Sequence, residues 1–371
     1  MTGERVRVLV CWHQAGIGGA GIAMLRVLPL LESEGFGFVH WAPPGPLREQ
    51  LVGRGDPVRG LPRPVEGYSV AGLRAEPGPL ARIRAVPPYA ASYLRALREL
   101  RPQLVHANSL YSMAEALLAR SVRLPSLLFL HEVMRPTWKS RAAGSLTRIA
   151  GLDVAAVSRA GANAFGAGPI DLIAPGVGDM PAARGERAGE RTRLRIGTIG
   201  AISHMKGTDL FVDAARRLLA RGGAHDFRIV GATSYALEVD WARDVLSGAE
   251  SAGIDWRESV DVRAELPEWD LFVLPSRRDA FPLVVLEAMA AGVPVVATRA
   301  GGIAEQLEGG GGVLVPSEDP VALADAIEAL AQDPARRAAL GEEGRSSVAK
   351  RFTLSRQAAG LARAYRASIG S

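Results

Sequence analysis

The stretch Leu271-Phe-Val-Leu-Pro-Ser-Arg277-Arg-Asp279-Ala-Phe281-Pro-Leu-Val-Val-Leu-Glu287-Ala-Met-Ala-Ala-Gly292-Val-Pro-Val-Val-Ala-Thr298 spells out a strand, a loop, a helix and a second strand. Leu271 to Pro275 is an apolar run of strand length. Pro282 fits the first turn of a helix, because the N–H it lacks is one that a helix start leaves unpaired. Gly292 followed by Pro294 stops that helix. Val293 to Thr298 is again strand-like. The helix is Leu, Val, Ala and Met on nearly every side, as a buried helix must be, and strands joined by such a crossover run parallel.

The same alternation continues outward. Strands are expected at Leu194 to Ile199, Phe227 to Val230 and Gly312 to Val315, and helices at Thr208 to Ala220 and Pro320 to Gln332. The first half opens with a β-loop-α unit: Val6 to Cys11, a glycine-rich turn at Gly16 to Gly21, and helical spacing from Ile22 to Glu32. Short apolar runs follow at Phe36 to Trp41, Leu104 to His106, Leu127 to His131, Val154 to Ser158 and Leu172 to Pro175, with helical patterns at Ala90 to Leu100 and Met113 to Arg120. Pro43 to Pro88, rich in Pro, Gly and Arg, reads as long connections with a partial strand or helix. The fold class is therefore α/β, with two doubly wound parallel-sheet, Rossmann-like domains. At 371 residues the chain is too long for one ordinary core. The aperiodic Pro181-Ala-Ala-Arg-Gly-Glu-Arg-Ala-Gly-Glu190 reads as a linker. The expected domains are 1-180 and 181-352, with a helical segment 353-371 able to pack back on the first domain.

Apolar residues at 48% and charged residues at 22% fit a globular chain, and no apolar run approaches the roughly 18 to 20 residues of a membrane span. The N-terminus leads into a strand without a secretory apolar segment, so a cytoplasmic location is expected. The lone Cys11 excludes an internal disulfide, and the six His show no metal-ligand spacing, so neither metal nor cofactor is expected. The charge of +5 is unevenly divided, +7 over residues 1–180 and −2 over the rest. A basic half suits an anionic membrane surface, a polyanion or a phosphorylated acceptor, and equally a solvated surface. Of the 44 basic residues only Lys139, Lys206 and Lys350 are lysine, which makes a lysine beside a motif conspicuous.

Open α/β sheets bind ligands beyond the carboxyl ends of their strands. In Ile196-Gly-Thr-Ile-Gly200-Ala-Ile-Ser-His-Met-Lys206-Gly-Thr208 a strand passes through a glycine turn to a helix start, whose N–H groups and positive dipole end favour a phosphate. Lys206 adds a compact positive charge. At the second junction the donors of Leu283 and Val284 are free for a diphosphate or sugar hydroxyls. Glu287, inside an apolar helix, needs hydrogen-bond donors, and ribose hydroxyls match it. The plain alternatives are a capped helix with a surface Lys206, Glu287 on a wet edge and Asp279 as a loop cap.

These junctions, followed by Gly301-Gly302-Ile-Ala-Glu305 and Gly312-Val-Leu-Val-Pro316, resemble the donor domain of the retaining GT-B glycosyltransferases of family 4, group 1. Gly18-Gly19, Val105-His106-Ala107, His131-Glu132, Val157-Ser158-Arg159 and Ile173-Ala-Pro-Gly-Val177 extend the likeness over the first half. The resemblance implies a nucleotide-diphosphate sugar held mainly by the second domain, an acceptor in the cleft between domains, and transfer with retention and without metal. It places Glu287 on the ribose and Asp279 near the transferred sugar. Lys206 falls on the diphosphate and His131 beside the sugar from the first domain. Phe281, Leu283, Val284, Gly200, Gly18, Gly19 and Arg278 complete the implied donor site. Two departures stand out: Asp279 replaces the usual Glu, one methylene longer, and Ala201 occupies a position that is often Arg. Arg277 or Arg278 is the candidate for the missing cation.

Other readings differ in chemistry. Gly16-Ile-Gly18-Gly-Ala-Gly21 matches a dinucleotide fingerprint, yet Trp12-His-Gln-Ala separates it from the strand and the second strand ends at His40-Trp41 without a ribose-binding acid. His131-Glu132 lacks the serine elbow or metal triad of a hydrolase. A sugar-nucleotide epimerase of the same architecture, or a catalytically silent donor-binding subunit, would share the donor site. The acceptor is a glycan, a lipid-linked or a small molecule. Pro79-Leu-Ala-Arg-Ile-Arg84 and Ser92-Tyr-Leu-Arg-Ala-Leu-Arg98 offer a peripheral membrane surface or, with the same spacing, a solvated helix face.

Overall fold

The computed structural model describes residues 5–62, 79–134, 137–166, 170–183, 193–232, 238–258 and 261–370. Much of the expected linker lies outside the described residues. The described residues up to Pro175, together with Leu354–Gly370, form one compact unit, and those from Gly176 to Thr353 another.

The first unit runs β1 (Val6–Cys11), α1 (Gly19–Ser33), β2 (Phe36–Trp41), α2 (Pro46–Gly53), β3 (Val58–Arg59), α3 (Pro79–Leu100), β4 (Leu104–Ala107), α4 (Met113–Ser121), β5 (Ser126–Leu130), α5 (Trp138–Ile149), β6 (Asp153–Ala156), α6 (Arg159–Phe165) and β7 (Asp171–Leu172). Its strands form one sheet in the order β3-β2-β1-β4-β5-β6-β7, with each described pairing parallel. Leu9, Val39, Val105 and Tyr93 share a buried cluster, so the apolar runs lie between helices, as all-parallel strands require.

The second unit runs β8 (Arg195–Ile199), α7 (Thr208–Ala220), β9 (Asp226–Val230), α8 (Val239–Ser251), β10 (Asp255–Arg257), α9 (Val262–Glu265), β11 (Leu271–Leu274), α10 (Leu283–Ala291), β12 (Val295–Thr298), α11 (Ile303–Leu307), β13 (Gly312–Val315), α12 (Pro320–Gln332) and α13 (Pro334–Arg351). Its parallel sheet has the order β10-β9-β8-β11-β12-β13. The closing helix α14 (Leu354–Gly370) belongs to the first unit. There Tyr365 meets Phe36 edge to face at 5.2 Å, and Arg366 reaches the Glu34 carboxylate at 2.9 Å.

Both sheets reverse winding direction once. In the first the change falls between β1 and β4, in the second between β8 and β11. At such a switch point the loops leaving adjacent strands diverge to opposite faces and leave a crevice at the carboxyl ends. The glycine turn at Gly18 and Gly19 leaves β1, and Lys206 and Asp279 lie in the loops leaving β8 and β11.

One expectation is corrected. Pro282 is not inside the first turn but is the N-cap of α10, extended at φ −64° and ψ 121°. Proline's fixed φ serves either position, so sequence could not separate them.

Candidate functional site

Two glycines bring the second unit's loops together. Gly207 adopts φ +71°, and a Cβ there would lie 2.1 Å from the Pro275 carbonyl oxygen. Gly231 adopts φ +153°, and a Cβ there would lie 1.7 Å from the Gly200 oxygen. Only glycine allows both the conformation and the approach. The loop after β8 therefore lies directly on the end of β11. Arg277 N–H donates to the Met205 carbonyl at 2.9 Å, and Gly302 N–H donates to the Asp279 carbonyl at 3.1 Å. Three separated motifs, around Lys206, Asp279 and Gly301-Gly302, are thus joined through backbone.

Ser203 shapes the lysine's approach. Its hydroxyl accepts the Lys206 N–H at 3.2 Å and caps a single 3-10 turn, His204–Lys206. Gly207 ends that turn and is the N-cap of α7. From this position Lys206 Nζ donates to Asp279 Oδ2 at 2.5 Å. A shallow pocket at the end of β8 is lined by Gly200, Ala201, Lys206, Thr208 and Leu274.

Phe281 is buried and meets Phe352 edge to face at 5.6 Å. Pro282 O accepts from Gln306 Nε2 at 2.9 Å, which pins the start of α10. Leu283 and Val284 follow as its first residues, half-buried, with N–H groups that have no acceptor inside the helix. Glu287 lies on the same helix and is 7% exposed.

The two arginines divide. Arg277 grips Asp209 with both terminal nitrogens at 2.7 and 2.8 Å, and its Nε reaches Glu318 at 2.8 Å. Burial would raise the Asp209 carboxyl, but this bidentate pairing holds it below the usual carboxylate range. Arg277 is thereby committed to holding the loop against α7. Arg278 is exposed, with Nη2 at 3.9 Å from Met205 Sδ. Of the two candidate cations, Arg278 is the more exposed.

In the first unit Gly18 is the N-cap of α1 and Gly19 its first residue. His131 follows β5, and its Nε2 lies 3.0 Å from Asn108 Oδ1. The same oxygen lies 3.1 Å from His106 Nε2, while His106 Nδ1 lies 2.7 Å from the Tyr365 hydroxyl. Asn108 Oδ1 can only accept. Both Nε2 atoms therefore carry the protons, and Tyr365 donates to His106. Burial pushes His131 down to about 3, with His106 and His13 adding to the effect, and pushes His106 down to about 4. Beside them the Glu132 carboxylate accepts from Ser109 Oγ and, at 3.1 Å each, from the N–H groups of Leu110 and His131. Burial still raises its pKa. Asn108 and Tyr365 escape sequence reasoning because neither sits in a chemical motif.

Comparisons with known proteins match this layout half by half. Residues 193–333 match the model described as glycosyl transferases group 1, and residues 18–166 the model described as glycosyl transferase 4-like domain. A lipopolysaccharide core biosynthesis mannosyltransferase of Rhizobium meliloti is 35% identical over 181 residues, 46% of this chain and 50% of that protein. A D-inositol 3-phosphate glycosyltransferase of Arthrobacter is 33% identical over 217 residues, 54% of this chain and 50% of that protein. The chain spans about half the length of the curated relatives it matches. Anabaena HepE, crystallised with UDP and glucose, superimposes with a TM-score of 0.79 at 20% identity over 98% of this chain and 100% of that one. A sucrose-phosphate synthase of Thermosynechococcus elongatus gives 0.78 at 18% identity over 99% and 100%. At these identities the structures speak for the fold, which is GT-B. With both halves matched, the chain belongs to the group 1 glycosyl transferases of family 4.

Proposed function

We propose that this chain transfers a sugar from a nucleotide-diphosphate donor to an acceptor hydroxyl, with retention and without a metal ion. The observation that carries the reading is the meeting of Lys206 and Asp279 at the second sheet's switch point, beside the start of α10. Transfer breaks the bond between the sugar's anomeric carbon and the diphosphate oxygen, so negative charge develops on the leaving group. Lys206 supplies a fixed positive charge there, and the N–H groups of Leu283 and Val284 supply oriented dipoles. Lys206 Nζ donates to Asp279, which holds the ammonium in place to face the phosphate oxygens. Glu287 accepts from the ribose hydroxyls, and Arg278 supplies the charge that Ala201 lacks. The names of the relatives, a mannosyltransferase and an inositol phosphate glycosyltransferase, support a sugar donor. HepE's UDP and glucose support a nucleotide-linked one. No cofactor enters this scheme, and the proposed location is cytoplasmic.

A thermal-shift panel of nucleoside diphosphates and their sugars tests it. A donor present at a hundredfold its dissociation constant stabilises by about 2.7 kcal/mol, so the matching base stands out. The same base, carrying a labelled sugar, then transfers label to an acceptor. A panel in which no nucleotide raises the melting temperature contradicts the reading. Free or isomerised sugar formed without acceptor points to an epimerase, and nucleotide binding without any transfer points to a silent subunit.

A further inference from the structure

Helix α5 is amphipathic in an inverted sense. Its buried residues are the small or polar Ser140, Gly144 and Thr147. Its large apolar side chains face outward, Trp138 at 75% exposure, Leu146 at 43% and Ile149 at 83%. At about 100° per residue, Trp138, Ala142, Leu146 and Ile149 form one stripe roughly 80° wide. Lys139 borders that stripe on one side, and Arg141 and Arg148 border it on the other. The helix contains no acidic residue.

The arrangement is built firmly. Thr137 N–H donates to Ser140 Oγ at 3.0 Å and Ser140 N–H returns to Thr137 Oγ1 at 3.4 Å, a reciprocal cap that fixes the first turn. Lys139 Nζ stands 5.8 Å from the Trp138 ring centroid, so charge and aromatic face are presented together. The other basic helix differs. In α3 the apolar Tyr93 and Leu97 are buried, which leaves Arg95 and Arg98 on a solvated face. The side chain of Arg82 lies outside the described residues.

We propose that α5 rests on an anionic lipid surface, its apolar stripe at the boundary of headgroups and acyl chains and its three cations at the level of the lipid phosphates. Charge selects this occupant. A second copy meeting the first through the same face would set the three cations of one copy against those of the other, whereas an anionic bilayer answers both the stripe and its borders. The proposal uses none of the residues assigned to the donor site, so the two proposals stand or fall independently.

Co-sedimentation of the full chain with phosphatidylcholine vesicles, with and without phosphatidylglycerol, tests it at low salt, alongside light scattering without vesicles. The wild type is expected to sediment with the anionic vesicles only, and to be released as salt rises. A Lys139→Glu/Arg141→Glu/Arg148→Glu variant loses partitioning by at least about a hundredfold. Trp138→Ser/Ile149→Ser loses it at any salt, with the melting temperature unchanged because neither side chain is packed. Arg95→Glu/Arg98→Glu leaves it intact. Absence of wild-type binding to anionic vesicles, or equal binding by the α5 variants, overturns the proposal. So does a wild-type dimer that the α5 variants dissociate and that ignores vesicles.

Discussion

The two sheets hold the carboxyl ends of their strands by different electrostatics. In the second unit the loops are tied by charge: Lys206 to Asp279, and Arg277 to Asp209 and Glu318. In the first unit the ends of β4 and β5 are joined mainly by neutral groups, Tyr365 to His106 to Asn108 to His131, with burial holding both imidazoles uncharged beside the Glu132 carboxylate. A partly exposed ammonium that can exchange one anion for another suits an anionic ligand. A buried imidazole with a fixed tautomer suits a hydrogen bond that adds no charge. The same sheet geometry thus supplies different chemistry because the residues at the strand ends differ.

The comparison breaks most severely at Gly207. Gly207→Ala forces a side chain into a left-handed conformation against the Pro275 carbonyl, and is expected to cost about 2 to 4 kcal/mol in urea unfolding. Stability within about 0.5 kcal/mol of wild type would show that the two loops are not held by this contact. In the first unit, Asn108→Ala strands two imidazole N–H groups and is expected to cost about 1 to 3 kcal/mol. Leu at the same position, similar in size but equally unable to accept, should do no better, while Asp should retain the acceptor.

Titration sharpens the contrast. His131 and His106 titrate in the folded chain near 3 and 4, below their ordinary 6.5, so between those values the unfolded chain binds more protons. The contribution of these two imidazoles is therefore complete above about 6.5 and falls as pH drops through that window, by up to about 1.4 kcal/mol per pH unit for each group. Asp209, held low instead, matters only below its ordinary 3.8. Amide protection in β4 and β5, corrected for intrinsic exchange, should fall between pH 6.5 and 5 before that in β8 and β11. Loss in the reverse order would contradict the assignment. The smallest effect separates the arginines. Arg278→Ala should weaken nucleotide binding a few-fold with unchanged stability, and Arg277→Ala should lower the unfolding midpoint through Asp209 and Glu318.

Much of the fold was legible because its signals are local. Phe36–Trp41, Thr208–Ala220 and Gly312–Val315 are found with the boundaries that their apolar runs, caps and glycines mark. Helix α13 escaped because it is charged and glycine-rich: Gly341 and Gly344 exist to pack against the backbone of Gly292 and Gly311, a constraint invisible along the chain. Helix α5 escaped because its apolar residues face outward, against the rule by which periodicity is read. At the site, Lys206, Asp279 and Glu287 stood out by type and place. Arg277's commitment did not, since Asp209 and Glu318 are 68 and 41 positions away. The link from Tyr365 to His106 spans 259 positions.

Calorimetric titration of the matching nucleoside diphosphate, and of inorganic pyrophosphate, into wild type, Lys206→Ala and Glu287→Ala tests the donor site most directly. Lys206→Ala is expected to weaken both ligands by about tenfold or more, as the loss of a charge-assisted contact requires. Glu287→Ala is expected to weaken the nucleotide alone, since pyrophosphate has no ribose. Unchanged nucleotide affinity in both variants would contradict the assignment of the donor to this switch point.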